Sequence, residues 1–199
     1  LASELAGDFT VIDEALADAL LAILRSDNTS EQVRGQAAIS LGPVLEHADT
    51  EGFEAADQLP ITQSMFHRLQ ESLHDLYLDA EVPGEVRRRI LEASVRAPQA
   101  WHQDAVRAAF SADDEAWRLT AVFCMRFVRG FDEQILEALD SKNPDIHYEA
   151  VCAAGNWEVD AAWPHITALV TSGGTDKPLL LAAIDAVARI RPQEAAEIL

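Results

Sequence analysis

Five segments of this chain share one helical register, and that repeat limits the possible folds more than any single residue does. With Trp117 as position zero, Val33, Val86, Ile146 and Leu179 occupy the same place in the other segments. Three residues earlier stand Ser30, Pro83, Asp114, Asn143 and Asp176. Four of these are N-cap types, whose side chains accept hydrogen bonds from the open amides of a first turn. The fifth, a proline, suits that turn because it has no N–H to leave unbonded. Position plus four reads Ala37, Ile90, Ala121, Ala150 and Ala183, and plus five reads Ala38, Leu91, Val122, Val151 and Ile184. Small and apolar side chains thus fall where a helix would meet its neighbours. The expectation is an all-α stack of about five helical hairpins, none of which could bury its own core alone.

Read in order, the hairpins are expected at about 10–48, 61–97, 99–129, 131–157 and 160–191, all within one domain covering 1–199. Thr10 is a candidate cap for the first helix, with Ile12, Leu16, Leu20, Ile23 and Leu24 behind it at helical spacing. Val33, Ala37, Ala38, Leu41 and Leu45 form the inner face of the second helix. The period then breaks, since zero positions lie 53 residues apart from 33 to 86 but 31, 29 and 33 apart thereafter. The excess maps to an acidic insertion at 49–60, read as a solvated connection that Phe53 and Leu59 pin to the body, or else as a loop contacting a basic partner. From Pro60 a long helix is expected, with Ile61, Met65, Leu69, Leu73 and Leu76 inside. Later turns fall at Ser141 to Pro144 and Ser172 to Gly174, and Pro192 opens a further short segment.

Few residues suggest chemistry. Cys124 and Cys152 sit on equivalent helices with no other cysteine to complete a metal cluster, so they read as buried free thiols in a reducing, cytoplasmic compartment. His67, Glu71 and His74 share a helix face, but their spacing is not the H-E-x-x-H zinc pattern and no fourth ligand accompanies them. No Gly-rich phosphate loop or nucleophile elbow occurs, and Gly173-Gly174 is too short to cradle a phosphate. The expectation is therefore no enzyme, no metal and no cofactor. No run approaches the roughly eighteen apolar residues that argue for a membrane span. No basic leader precedes an apolar stretch, and the opening Leu1 leaves a removed leader or a longer parent chain open.

The zero position, the arginine after it and the small residue at plus four together resemble HEAT repeats, including bacterial HEAT-like units of the type found in phycobilin lyase subunits. The match is carried by Ser30 to Leu41 with Val33-Arg34 and Ala37-Ala38, by Val86-Arg87, and by Asp114 to Val122 with Trp117-Arg118. It covers about 10–191, and the arginine column is partial because His147 and Leu180 replace it in the last two units. The resemblance implies an armadillo-like α solenoid, a right-handed α-α superhelix whose second helices line a concave face used to bind proteins.

Charge then suggests where. The formal net charge is −19, yet residues 87–129 carry 8 cations and 5 acids between arms with 3 against 17 and 4 against 12. Arg87, Arg88, Arg89 and Arg96 come from one second helix and Arg118, Arg126 and Arg129 from the next. Planar guanidinium forks suit carboxylates and phosphates, while Arg87 and Arg118 also occupy the column that links HEAT repeats. Phe123 and Phe127, at plus six and plus ten, fall off the buried positions beside these arginines, whereas Trp101, Trp117, Trp157 and Trp163 read as core. The expected partner-binding residues are Arg88, Arg89, Arg96, Phe123, Arg126 and Phe127. The expected function is a non-catalytic scaffold or adaptor that binds a protein partner, an acidic segment at the arginine island being the specific form. The alternative is a bilin-lyase-like enzyme subunit handling a tetrapyrrole through its propionates. Such an acidic chain should be repelled by nucleic acid and by anionic membranes.

Overall fold

Ser30, Pro83, Asp114, Asn143 and Asp176 each stand at a helix N-cap in the computed structural model, which describes residues 11–53 and 59–199. The Ser30 hydroxyl and the Asp176 carboxylate accept from the backbone three residues on, and Asp114 accepts from Ala116 at 2.8 Å. Asn143 takes the amides of both Asp145 and Ile146. Pro83 has no side-chain acceptor to offer, and its φ of −54° presets the turn instead.

Among the described residues there are eleven α-helices and no strand: α1 Glu14–Arg25, α2 Glu31–Glu51, α3 Gln63–Leu78, α4 Gly84–Ser94, α5 Ala100–Phe110, α6 Glu115–Cys124, α7 Asp132–Leu139, α8 Pro144–Asn156, α9 Trp163–Thr171, α10 Lys177–Ile190 and α11 Pro192–Ile198. A 3-10 turn at Asp160–Ala162 leads into α9. The chain divides into two units, residues up to His102 and residues from Gln103 onward.

In the first unit α2 packs on its own hairpin partner α1 and on the next second helix α4, while α3 packs on α1 and α4. Leu21, Leu24, Leu41, Leu45, Leu69, Leu73 and Ile90 fill the space between them and are 0–3% exposed. A 0% exposed histidine closes this unit. His102 Nδ1 accepts from the Gln99 amide at 2.9 Å, which leaves Nε2–H to donate to Ser94 Oγ at 3.0 Å, and that hydroxyl in turn donates to the Leu91 carbonyl. Burial pushes the His102 imidazole down to about 4, so the ring is neutral near pH 7. In the second unit α8 packs on α6, on its partner α7 and on α10, and α10 packs on α9 and α11. Ala121, Val122, Ile135, Ile146, Ala150, Val151, Ile166 and Ala183 are all buried there.

Several expectations change. Thr10 lies outside the described residues, and α1 is capped by Asp13, whose carboxylate accepts from the Leu16 amide at 2.9 Å. Of the 49–60 insertion, residues 49–51 continue α2, Phe53 stacks on Phe66 with ring centroids 5.4 Å apart, and Glu54 and Asp57 lie outside the described residues. The α3 helix starts at Gln63, after the cap Thr62, rather than at Pro60. Val33, expected on the inner face, is 49% exposed, because in α2 the neighbouring Arg34 turns inward instead and donates from Nε to the Leu24 carbonyl at 2.8 Å. None of the four tryptophans is fully buried. Trp157 illustrates the reason: its indole N–H must reach the Met125 carbonyl while its ring lies under the Arg129 guanidinium, 4.6 Å away.

Candidate functional site

Within each unit the second helices leave the same register position open to solvent. Position plus six reads Ile39, Glu92, Phe123, Cys152 and Asp185, none of which is buried, although the plus-four residues of the same helices all are. Two turns of packing geometry produce this exposure: plus four and plus five face the partner helices, so plus six is rotated about 100–200° out of the core. The expected site residues lie on or beside it, Arg88, Arg89 and Arg96 in the first unit and Phe123, Arg126 and Phe127 in the second.

In the first unit the arginines of α4 and of the turn after it lie against α2. Arg89 Cγ would be 3.0 Å from a Cβ on Gly35, and Arg96 Cδ 2.7 Å from one on Gly42. Both pairs are seven residues apart on their chains, so two glycines of α2 make room for two arginine stems. A groove of about 310 Å³ opens beside them, lined by Glu31, Gln32, Gly35, Gln36, Ile39, Glu85 and Arg89. The arginine heads are already engaged. Arg88, only 7% exposed, holds Glu85 at 2.6 Å and approaches Glu92. Arg89, 37% exposed, bridges the same two glutamates at 3.1 and 2.9 Å. Arg96, 29% exposed, pairs with Glu46 of α2 at 2.5 Å. The Arg88 and Arg89 guanidiniums hold the Glu85 carboxyl below the usual carboxylate range, Arg88 more strongly. Arg88 is therefore a buried strut, and Arg89 and Arg96 are the members of this group that reach solvent.

The second unit has a more apolar arrangement. Phe123, in the last turn of α6, and Phe127, in the turn that follows it, are half-buried and their ring centroids lie 5.4 Å apart. Arg126 lies over both, 5.6 Å from Phe123 and 6.0 Å from Phe127, and its Nη1 donates to Glu149 of α8 at 3.0 Å. Its Nε is out of contact with solvent and has no hydrogen-bond partner among the described residues, a desolvation cost that the two ring faces partly offset. Tyr148 and Cys152 continue the patch on α8. Tyr148 is not singled out by the sequence, and Cys152, expected from it as a buried thiol, is only half-buried because it stands in the plus-six column that Phe123 marked. Burial pushes the Cys152 thiol up, with Glu149 adding to the effect and Arg126 opposing it. A thiol so held carries little thiolate near pH 7 and is a poor nucleophile.

The remaining candidates do not assemble. His67 and Glu71 are solvent-exposed, while His74 is turned onto Trp101, 4.9 Å between ring centroids, in a cluster that also contains Tyr77 and His102. Among the described residues no three histidine, cysteine or acidic side chains are grouped to hold a metal ion, and no helix is long and apolar enough to cross a membrane.

No protein-family model matches the chain, and no curated protein matches it. Among solved structures it is similar to the crystal structure of an engineered protein, a Northeast Structural Genomics Consortium target, at 16% identity and a TM-score of 0.53 over 92% of this chain and 83% of that one. That likeness concerns the fold alone.

Proposed function

We propose that this protein is a non-catalytic interaction scaffold in which HEAT-like hairpins stack as a right-handed superhelix and receive a segment of a protein partner along the second helices. The observation that carries the reading is the Phe123, Arg126, Phe127 patch: two rings left half-open to solvent, one on a helix whose plus-four and plus-five residues are fully buried and one in the turn after it, with a guanidinium laid across them. Aromatic and arginine side chains of this kind supply most of the energy at protein interfaces, because they offer large rigid contact area with a polar edge. An acidic partner segment would exchange a carboxylate for that of Glu149 at an arginine already held in place, which lowers the ordering cost of recognition.

The test is a pull-down from lysate of the source cell with the wild type and a Phe123→Ser, Arg126→Gln double variant in parallel. The wild type is expected to retain a partner that the variant loses by at least tenfold, with both proteins melting within a few degrees of each other. Equal recovery of the same partner by both would contradict the assignment of binding to this patch.

A further inference from the structure

The residue that follows position zero links successive hairpins in the second unit, and one of these links is built differently from the other. In α6 it is Arg118, which reaches forward to Glu137 on α7, the first helix of the next hairpin. In α8 it is His147, which reaches forward in the same way to His165 on α9. The sequence separations are nearly the same, 19 and 18 residues, so the two pairs are equivalent joints. An arginine–glutamate joint keeps its charges throughout the neutral range. An imidazole–imidazole joint does not.

The two Nε2 atoms lie 2.9 Å apart and the rings meet edge to face at 88°. That contact needs one ring to donate and the other to accept, so at least one must be neutral at Nε2. A single added proton, on the donor ring's Nδ1, leaves the hydrogen bond in place. A second proton gives two donors facing each other at contact distance, and the bond is lost. We propose that the His147–His165 pair is a proton-sensitive joint that holds the α9–α10 hairpin to α8 near neutral pH and releases it on mild acidification.

The surroundings set how the pair titrates. Burial, then the facing His165 of α9, lower the affinity of His147 for a proton, while Asp140 after α7 and Asp176 at the start of α10 raise it by a smaller amount. Of the charges on the other elements, Arg118 of α6 pairs with Glu137, and Arg191, at the start of α11, pairs with Asp160 of the 3-10 turn and Glu194 of α11, while Asp145 on α8 and Lys177 on α10 also stand near the pair in sequence. The folded His147 therefore binds its proton at lower pH than the unfolded one. By linkage, its stabilising contribution is complete above the ordinary imidazole value of about 6.5 and is lost as pH falls below it toward the folded value. Two aspartates beside the pair accommodate the first proton, so the release belongs to the second.

The experiment is hydrogen exchange by mass spectrometry on the whole chain at pH 7.5 and pH 5.0, expressed as protection factors, with α7 as internal reference. Wild type is expected to lose severalfold more protection over α9 to α11 than over α7, as local opening of that hairpin requires. A His147→Arg, His165→Glu variant rebuilds the Arg118–Glu137 type of joint and is expected to lose no more protection there than in α7. Equal loss across wild-type helices, or a swap variant that stays acid-sensitive, overturns the proposal. Wild-type imidazole Cε1–H resonances give a second readout that needs no variant: two separated titration steps are expected, and two superimposed ordinary curves overturn it. If added Zn²⁺ at pH 7.5 protects α9 to α11 in wild type and not in His147→Gln, the pair is a metal clip rather than a proton joint, and the proposal fails.

Discussion

Gly155 has no room for a side chain. A Cβ built there would lie 2.8 Å from the Ala186 Cα, a backbone atom of α10 that cannot rotate away, so α8 and α10 would have to separate. Alanine ordinarily gains about 1 kcal/mol over glycine inside a helix, but the forced shift outweighs it, and Gly155→Ala is expected to destabilise by ~1–3 kcal/mol in urea unfolding. Gly84, the first residue of α4, meets nothing within 4 Å. Gly84→Ala should therefore stabilise, by up to about 1 kcal/mol in the same assay, chiefly by narrowing the unfolded ensemble. His102 supplies a pH prediction. Its folded value near 4 lies below the ordinary 6.5, so its stabilising contribution is present above pH 6.5 and fades between 6.5 and 4, by an amount of order 3 kcal/mol. A His102→Gln variant is expected to be less stable at pH 7.5 yet to show a shallower decline from pH 7 to pH 5 by thermal melting. An unchanged slope would show that the acid response originates elsewhere.

The helices themselves were the most legible part of the sequence, because their starts are decided locally. An N-cap such as Asn143 needs only its own side chain and the next two or three amides, and all five starts read from the register are N-caps in the structure. Burial at plus four followed for the same reason, since the small residues Ala121, Ala150 and Ala183 fit only where helices approach closely. Ala121→Arg should accordingly unfold the second unit or leave it insoluble, a loss of more than about 4 kcal/mol, because a charge would be forced into a 0% exposed position between α6 and its neighbours. A soluble variant with unaltered far-UV circular dichroism and melting would show that this face is not packed. What pattern could not reveal was where long polar side chains turn. Arg88, expected at a partner-binding face, is 7% exposed because it folds back along α4 onto Glu85 and Glu92, and Arg34 is 5% exposed because its Nε reaches the Leu24 carbonyl of the preceding helix. Glu85 and Glu92 stand at helical spacing from Arg88 and Arg89 and are legible in the sequence, whereas Glu46 is not, because it reaches Arg96 from fifty residues away. Nor does periodicity show that α2 continues past 48 to Glu51 before Gly52, with φ of 67°, ends it.

At the scale of the molecule, the second helices carry two functions at once on our reading: their buried positions join hairpins, and their plus-six positions face a partner. In each unit the half-exposed arginines near that register position are held by glutamates of the same unit, Arg89 by Glu85 and Glu92, Arg96 by Glu46 and Arg126 by Glu149. The patch of Phe123 and Phe127 would direct a partner by shape and ring contact. Site-specific photo-crosslinking tests this most directly. A photoreactive residue is placed at position 123 on the second helix α6, or at the exposed position 133 on the first helix α7, and adducts formed in lysate of the source cell are identified by mass. A protein adduct from position 123 that is absent from position 133 is the predicted result. Adducts from position 133 with none from position 123 would contradict the claim that the second helices form the binding face.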